Sequence, residues 1–206
     1  MIRILKNLVR STSGASGAEF ALVLPLFLLL LFGIIDAGRF MWEYNKVEKA
    51  TQVGARVAIV TNVLSTGLRD ADYTGQAING VKIAPGGQIP AAALGTIKCT
   101  NVSCSCETPP CPTDLGTFDS ATFNDVLLAR MQQIDPSIKP ENLVVRYSGS
   151  GLGFASSGGM EISPLTTVTL TNMKFVPITS LLFAQITMPD LSATLTSEDA
   201  SGSYSN

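Results

Sequence analysis

The sequence predicts an α+β protein in which a long N-terminal helix packs on a small antiparallel β-sheet domain with one further helix and a Cys-rich loop. The uncharged run from Phe20 to Ile35 continues into a stretch with helical period that ends near Leu64. Short β-branched, alternating segments follow in the last third of the chain. With 206 residues, the chain has room for one membrane helix and one domain of roughly 150 residues.

A basic leader and a glutamate precede the apolar run. Residues 1–14 contain three basic residues and no acid, and Glu19 lies five residues after Gly14. A carboxylate at the mouth of a hydrophobic helix is costly unless it is partnered. Cleavage after Gly14 would expose the amine of Ala15 near Glu19, at a helix terminus whose dipole also favours the carboxylate. Alternatively, Glu19 only marks the interface and Gly14 belongs to a flexible linker, and the chemistry leaves both interpretations open.

The apolar run predicts a single membrane span over residues 15–42. Thirteen of the 16 residues from Phe20 to Ile35 are Leu, Ile, Val or Phe. They rise about 24 Å, which is short of the ~30 Å hydrocarbon core, so the helix also uses residues up to Met41. Asp36 and Arg39 lie three apart on that extension and are expected to pair at the far interface.

The cysteines predict which end of the helix faces the cytoplasm, because Lys and Arg residues are equally numerous near its two ends. All four cysteines lie on the C-terminal side, which suits an oxidising compartment. We therefore expect residues 1–14 in the cytoplasm and residues 43–197 outside, followed by a flexible tail over 198–206. An ordinary signal peptide and an uncleaved anchor are the alternatives, although Asp36 to Arg39 supply no small-x-small cleavage pattern.

Small residues continue the helix beyond the membrane. Ala50, Gly54 and Ala58 are spaced four apart, so one face lets another element come close. This stripe serves either packing between subunits or packing within the chain onto the sheet.

The remaining elements follow from turn signals and period. Asn79-Gly80 precedes a short strand at 81–84, Asp119 or Ser120 caps a helix over 121–134, and Pro136 ends that helix. Further strands are predicted at 143–147, 166–171 and 191–196, with a short helix or hydrophobic lip at 175–186.

Four cysteines lie within 13 residues: Cys99, Cys104, Cys106 and Cys111. The C-x4-C-x-C-x4-C spacing and the compartment favour two disulfides over a zinc site, paired 99–104/106–111 or 99–106/104–111. We expect them to staple a surface loop and to bind no metal.

Composition argues against several functions. The net charge is −2, 15 % of residues are charged and there is no histidine, so neither nucleic-acid binding nor His-based chemistry is indicated. The carboxylate pairs that could be proposed to catalyse hydrolysis are Asp70 with Asp72 and Glu141 with Glu161. They lie in turn-like polar sequence where exposed acids are expected, so the chain is predicted to be non-enzymatic and to need no cofactor.

Residues 10–60 carry a resemblance. Gly14, Glu19-Phe20, the Leu-rich helix, Asp36-Ala37-Gly38-Arg39 and the segment from Ala50 to Arg56 together resemble the TadE/TadG family of pseudopilins, at its TadE-like end. This family serves the tight-adherence (Flp, type IVb) pilus system of bacteria. Phe20 replaces the more common tyrosine of the family pattern.

The resemblance implies a minor pseudopilin that acts in assembly or priming of the pilus. It implies processing by a prepilin peptidase after Gly14 and residence in the bacterial inner membrane. Expected partners are another TadE/TadF-like pseudopilin, the major Flp pilin, the inner-membrane assembly platform and membrane lipid. The alternative function is a membrane-anchored or pilus-tip adhesin that binds a ligand through the loop at 148–159 or the Cys-rich segment.

Overall fold

The computed structural model describes residues 15–156, 160–181 and 184–197, so the predicted leader and the tail over 198–206 lie outside the described residues. The chain forms two compact units. Among the described residues, one comprises 15–43, 175–181 and 184–186, and the other comprises 44–156, 160–174 and 187–197. A long N-terminal helix, antiparallel sheets and shorter helices confirm the predicted α+β class.

Helix α1 spans Ala15–Ala58, so the predicted end near Leu64 is wrong. After Ala58 the backbone tightens, and the amide of Val60 bonds the carbonyl of Val57 at 3.2 Å. The hydroxyl of Thr61 donates to the same Val57 carbonyl at 3.0 Å. Both bonds occupy the Val57 carbonyl, which the Thr61 amide would use in a continuing helix.

The main sheet belongs to the second unit and has five antiparallel strands in the order β4-β3-β5-β6-β9. The strands are β3 (Thr96–Cys99), β4 (Cys104–Thr108), β5 (Leu143–Ser148), β6 (Leu165–Leu170) and β9 (Leu191–Thr196). The predicted strands at 143–147, 166–171 and 191–196 correspond to β5, β6 and β9. Alternating β-branched sequence therefore located three of the five strands.

A small hairpin confirms the turn predicted at Asn79-Gly80. Strand β1 (Ala77–Ile78) pairs with β2 (Val81–Lys82). Asn79 and Gly80 have φ angles of 51° and 81°, which the two central residues of a type I′ turn require.

Strands β3 and β4 correct the expectation that the cysteines lie in a loop. Cys99 pairs in register with Cys104, and Ile97 with Cys106, so three of the four cysteines lie on the strands of an edge hairpin. The sequence from Thr96 to Cys99 does alternate in burial, with Ile97 and Cys99 fully buried. Four residues are too few for this alternation to predict a strand from the sequence.

The predicted helix over 121–134 is present as a π-helical segment, Thr122–Leu128, followed by α3, Ala129–Gln132. Asp119 is the residue that caps it, since its carboxylate accepts from the Thr122 amide and hydroxyl at 2.9 and 2.8 Å. Phe123, Leu127 and Met131 from this segment are almost fully buried. Shorter elements are α2 (Thr66–Arg69), β7 (Lys174–Phe175), β8 (Ile186–Thr187) and 3-10 turns at Ala91–Ala93, Pro140–Asn142 and Ile178–Leu181.

Candidate functional site

The N-terminal part of α1 exposes a continuous apolar surface. Within the described residues, α1 is the one helix long and apolar enough to cross a membrane, by length and composition, with a mean hydropathy of 2.6 in its most apolar window and none of that window buried. Its large exposed side chains include Phe20, Leu22, Val23, Leu26, Phe27, Leu30 and Ile34. In water such a surface would be unfavourable by about 25 cal/mol per Å². A single N-terminal apolar helix of this kind supports membrane anchoring.

The predicted processing residues lie at the start of this helix. Gly14 falls outside the described residues, and Ala15 is the first residue described. Glu19 and Phe20 are both exposed on α1. The cleavage itself therefore stays a prediction.

Asp36 has a set of partners that the sequence did not indicate. Its carboxylate accepts from the amides of Ile178 and Thr179 at 2.7 and 3.0 Å and from the Thr179 hydroxyl at 2.8 Å. The expected contact with Arg39 is also present, at 3.3 Å. Asp36 is only 7 % exposed, so a buried carboxylate at the end of the apolar run is matched by three donors from residues more than 140 positions away.

Aromatic contacts add to this attachment within the first unit. The rings of Phe40 and Phe175 meet edge to face with centroids 5.4 Å apart. The guanidinium of Arg39 lies 5.5 Å from the centre of the Phe175 ring. An acid within an apolar segment was the sequence signal that a partner must exist, but nothing local indicated where that partner lay.

The small-residue stripe lies in the second unit, where it is buried within the chain. Ala50 and Ala58 are 0 % and 3 % exposed, and Gly54 is buried between them. A Cβ atom at Gly54 would lie 2.6 Å from the sulfur of Met131. Lys46 pairs with Asp135 at 3.4 Å along the same contact. Gly54 of the stripe thus lies against Met131 of the 122–132 helix, within the chain, and packing of Ala50 and Ala58 on the sheet stays a prediction.

Enlarging Gly54 is expected to destabilise the second unit. In Gly54→Val the new side chain enters the volume of Met131, which is itself fully buried, so we expect a loss of about 1–3 kcal/mol from overpacking. Gly38→Val is the matched control, because a Cβ at Gly38 has no neighbour within 4 Å. Thermal unfolding of both full-length variants in detergent measures the difference. Equal unfolding temperatures would contradict the close approach.

The structure pairs the cysteines as Cys99–Cys104 and Cys106–Cys111, one of the two arrangements left open by the spacing. Cys99–Cys104 joins strands β3 and β4, whereas Cys106–Cys111 joins β4 to the segment that follows it. Strand β4 is also tied to β5 by an ion pair in which Arg146 Nε lies 2.8 Å from Glu107 Oε2. The hydrogen bond from Arg146 holds the pKa of Glu107 below its usual value, against a smaller opposing effect of burial.

The acids considered for hydrolysis are not brought together as carboxylate pairs. Asp70 bonds Arg69, Asp72 accepts from the Thr74 amide, and Glu141 lies exposed near Lys139. The expectation that all four acids are exposed is wrong for Glu161, which is 6 % exposed. One carboxylate oxygen accepts from the buried amide of Tyr73 and the other from the amide of Ser156, an exposed residue, so Glu161 joins two segments of the chain.

Glu161 lies close to a buried tyrosine. Its oxygens accept from the amides of Tyr73 at 2.8 Å and Ser156 at 2.9 Å. Burial, and to a lesser degree the charge of Glu161, raises the pKa of Tyr73 to about 12. Among the residues described, the Tyr73 hydroxyl is buried without a hydrogen-bond partner. The loop proposed for ligand binding is only partly visible, because residues 157–159 lie outside the described residues, and the adhesin alternative stays a prediction.

Comparison with known proteins addresses the N-terminal segment. The family model described as TadE-like protein matches residues 14–56, about a fifth of the chain. No curated protein and no solved structure matches. The match begins at the glycine of the predicted cleavage site and ends within the buried part of α1. Residues 14–56 are therefore similar to the TadE-like family, as the sequence motifs predicted, and the match points to a pseudopilin associated with a Tad pilus.

Proposed function

We propose that this chain is a non-enzymatic minor pseudopilin that acts in assembly or priming of a tight-adherence (Flp, type IVb) pilus. Residues 1–14 form a cytoplasmic leader that a prepilin peptidase removes after Gly14. Residues 15–42 hold the processed chain in the bacterial inner membrane. Residues 43–197 lie in the periplasm or, after incorporation, on the pilus.

The observation that carries this proposal is the position of the family match on the structure. The match over residues 14–56 covers the exposed apolar helix and also the buried stretch that continues it. A pseudopilin needs both parts, since one part must remain in lipid and the other must hold a folded domain. The exposed surface from Phe20 to Ile35 supports the first role, and buried Val47, Ala50 and Ala58 support the second.

Glu19 is proposed to act between subunits. Cleavage would create an ammonium group at Ala15, and the carboxylate of Glu19 is exposed in the single chain. In a low-dielectric assembly, this carboxylate would neutralise the ammonium of a neighbouring subunit and set its axial register. The neighbours are another TadE/TadF-like pseudopilin and the major Flp pilin, delivered through the inner-membrane assembly platform.

Processing is the first step to test, by intact mass and N-terminal sequencing of the protein purified from its native membrane. We expect the sequence to begin Ala15-Ser16-Gly17. In Gly14→Val the side chain is expected to block entry of the extended backbone into the peptidase, so the chain keeps Met1.

Gly17→Ala is the matched control, because Gly17 lies three residues past the cut and its Cβ would meet nothing within 4 Å. This variant should be processed like the natural chain. An unprocessed natural chain would reduce the protein to a membrane anchor with an external domain. A start beyond Ile35 would identify a secreted protein and remove the role proposed for Glu19.

A further inference from the structure

Residues 175–181 and 184–186, here called the arm, form a second apolar element of the first unit. The arm bonds the carboxylate of Asp36 through Ile178 and Thr179. It nevertheless leaves several aliphatic side chains outside: Val176 is 47 % exposed, Ile178 is 51 % exposed and Ile186 is 46 % exposed. Several exposed aliphatic side chains on one short segment beside an apolar helix mark a surface for an apolar partner.

The depth of the arm follows from the length of the apolar run. The uncharged residues Phe20 to Ile35 rise about 24 Å, and a bilayer has a hydrocarbon core of ~30 Å. The core must therefore extend over roughly one further turn of α1, which contains Asp36 and reaches Phe40. The arm is attached at these two residues, through Thr179 and Phe175 respectively.

A groove runs between this turn and the arm. It has a volume of about 420 Å³ and is predominantly apolar. Its walls are Gly33, Asp36, Ala37, Phe40 and Met41 on α1, and Phe175, Pro177, Thr179 and Ile186 on the arm. Asp36 and Thr179, the two polar residues among them, bond each other, so the rest of the wall continues the apolar surface of the span onto the arm.

Two side chains near the groove match the chemistry of a phospholipid. The side chain of Arg39 is 40 % exposed, and its guanidinium lies over Phe175 and pairs with Asp36, so a partly exposed cation stands at the edge of the apolar surface. Trp42 is 64 % exposed one turn beyond Gly38, as in the aromatic belts at membrane interfaces. An apolar groove edged by a cation and an indole suits acyl chains beneath an anionic headgroup.

We propose that the arm enters the bilayer beside α1 and that the groove between them holds phospholipid acyl chains of the leaflet at the C-terminal end of the span. The hydrogen bonds between the arm and Asp36 satisfy polar groups on both elements. They partner a carboxylate that would be costly near hydrocarbon, and they give the amides of Ile178 and Thr179 an acceptor that lipid cannot supply. The proposal rests on the membrane span in the proposed function.

Tryptophan fluorescence in vesicles with brominated acyl chains tests the contact. The full-length chain in a Trp42→Phe background receives one tryptophan, in Ile178→Trp or Ile186→Trp, both at half-exposed positions. The vesicles contain phosphatidylcholine and phosphatidylglycerol, with or without bromine. Bromine in the ~30 Å hydrocarbon core should reduce the emission of both variants about twofold.

Two reference variants separate the possible outcomes. Leu26→Trp reports the span and Val102→Trp reports an exposed position of the second unit, since these residues are 75 % and 74 % exposed. Loss of emission at positions 26, 178 and 186, with little change at 102, supports the proposal. Quenching at 26 without quenching at 178 and 186 overturns the arm contact alone and places the arm in water or against a protein.

The remaining outcomes are also decisive. Absence of quenching at position 26 would overturn the membrane span and, with it, the basis of the inference. Equal quenching at 102 and 178 would overturn a specific contact of the arm, because adsorption of the whole domain would explain both. Variants that unfold at the temperature of the Trp42→Phe parent retain the fold, so their emission reports position.

Discussion

Replacing Glu161 with alanine is expected to lower the free energy of unfolding of the second unit by about 1–3 kcal/mol. The carboxylate of Glu161 is 6 % exposed and accepts from the amides of Tyr73 and Ser156. Alanine leaves the buried Tyr73 amide without an acceptor, at about 1–3 kcal/mol, whereas the amide of the exposed Ser156 can bond water instead. Thermal unfolding of the full chain in detergent should show a shift of roughly 2–4 °C for each kcal/mol lost.

Asp72→Ala provides the matched control for Glu161→Ala. Asp72 also accepts a backbone amide, that of Thr74 at 2.7 Å, but it is exposed. Water can replace its carboxylate, so we expect a change of about 0.5 kcal/mol or less. A loss of similar size in the two variants would show that burial of Glu161 contributes little to stability.

Replacing Asp36 with alanine is expected to release the arm from α1. The change removes the acceptor for the amides of Ile178 and Thr179 and for the Thr179 hydroxyl. Hydrogen bonds to a charged group contribute about 1.5–3 kcal/mol, so exchange of these two amides should become roughly 10- to 100-fold faster. Hydrogen exchange of the full chain in detergent, followed at peptides that contain residues 178 and 179, measures this change.

Arg39→Gln distinguishes the hydrogen bonds of Asp36 from its ion pair. The Arg39 side chain is 40 % exposed, and its removal leaves all three donors on Asp36. A partly exposed pair contributes at most about 1 kcal/mol, which corresponds to about fivefold faster exchange or less. Unchanged exchange in Asp36→Ala would instead show that the ring contact of Phe40 with Phe175 is enough to hold the arm.

The hydrogen bonds to Asp36 and the small-residue stripe place two different requirements on helix α1. Up to Glu43, α1 must present apolar atoms to lipid and can tolerate Asp36 only with dedicated donors. From Tyr44 onward, it must bring its backbone close to another helix, which Gly54 permits because it has no side chain. The TadE-like match covers most of both stretches, which agrees with a subunit that is held in a membrane and carries a domain outside it.

The residue pattern within short segments determined much of the secondary structure of this protein. Helical period and absence of charge located α1, alternation located β5, β6 and β9, and Asn79-Gly80 located a hairpin turn. The glycine and glutamate before the apolar run indicated the TadE-like family. Each of these signals lies within one short segment, where backbone preference and burial of a single face decide the outcome.

Only the tertiary structure determined which distant residues contact one another. Nothing near Asp36 in sequence indicates Ile178 and Thr179, nothing near Gly54 indicates Met131, and the cysteine spacing left two pairings open. The sequence indicated an exposed acid at Glu161, because its burial depends on contact with Tyr73, 88 positions away in the chain. Contacts between distant segments depend on how the buried sides of the helices and strands pack together. The residue pattern within one segment does not predict that packing.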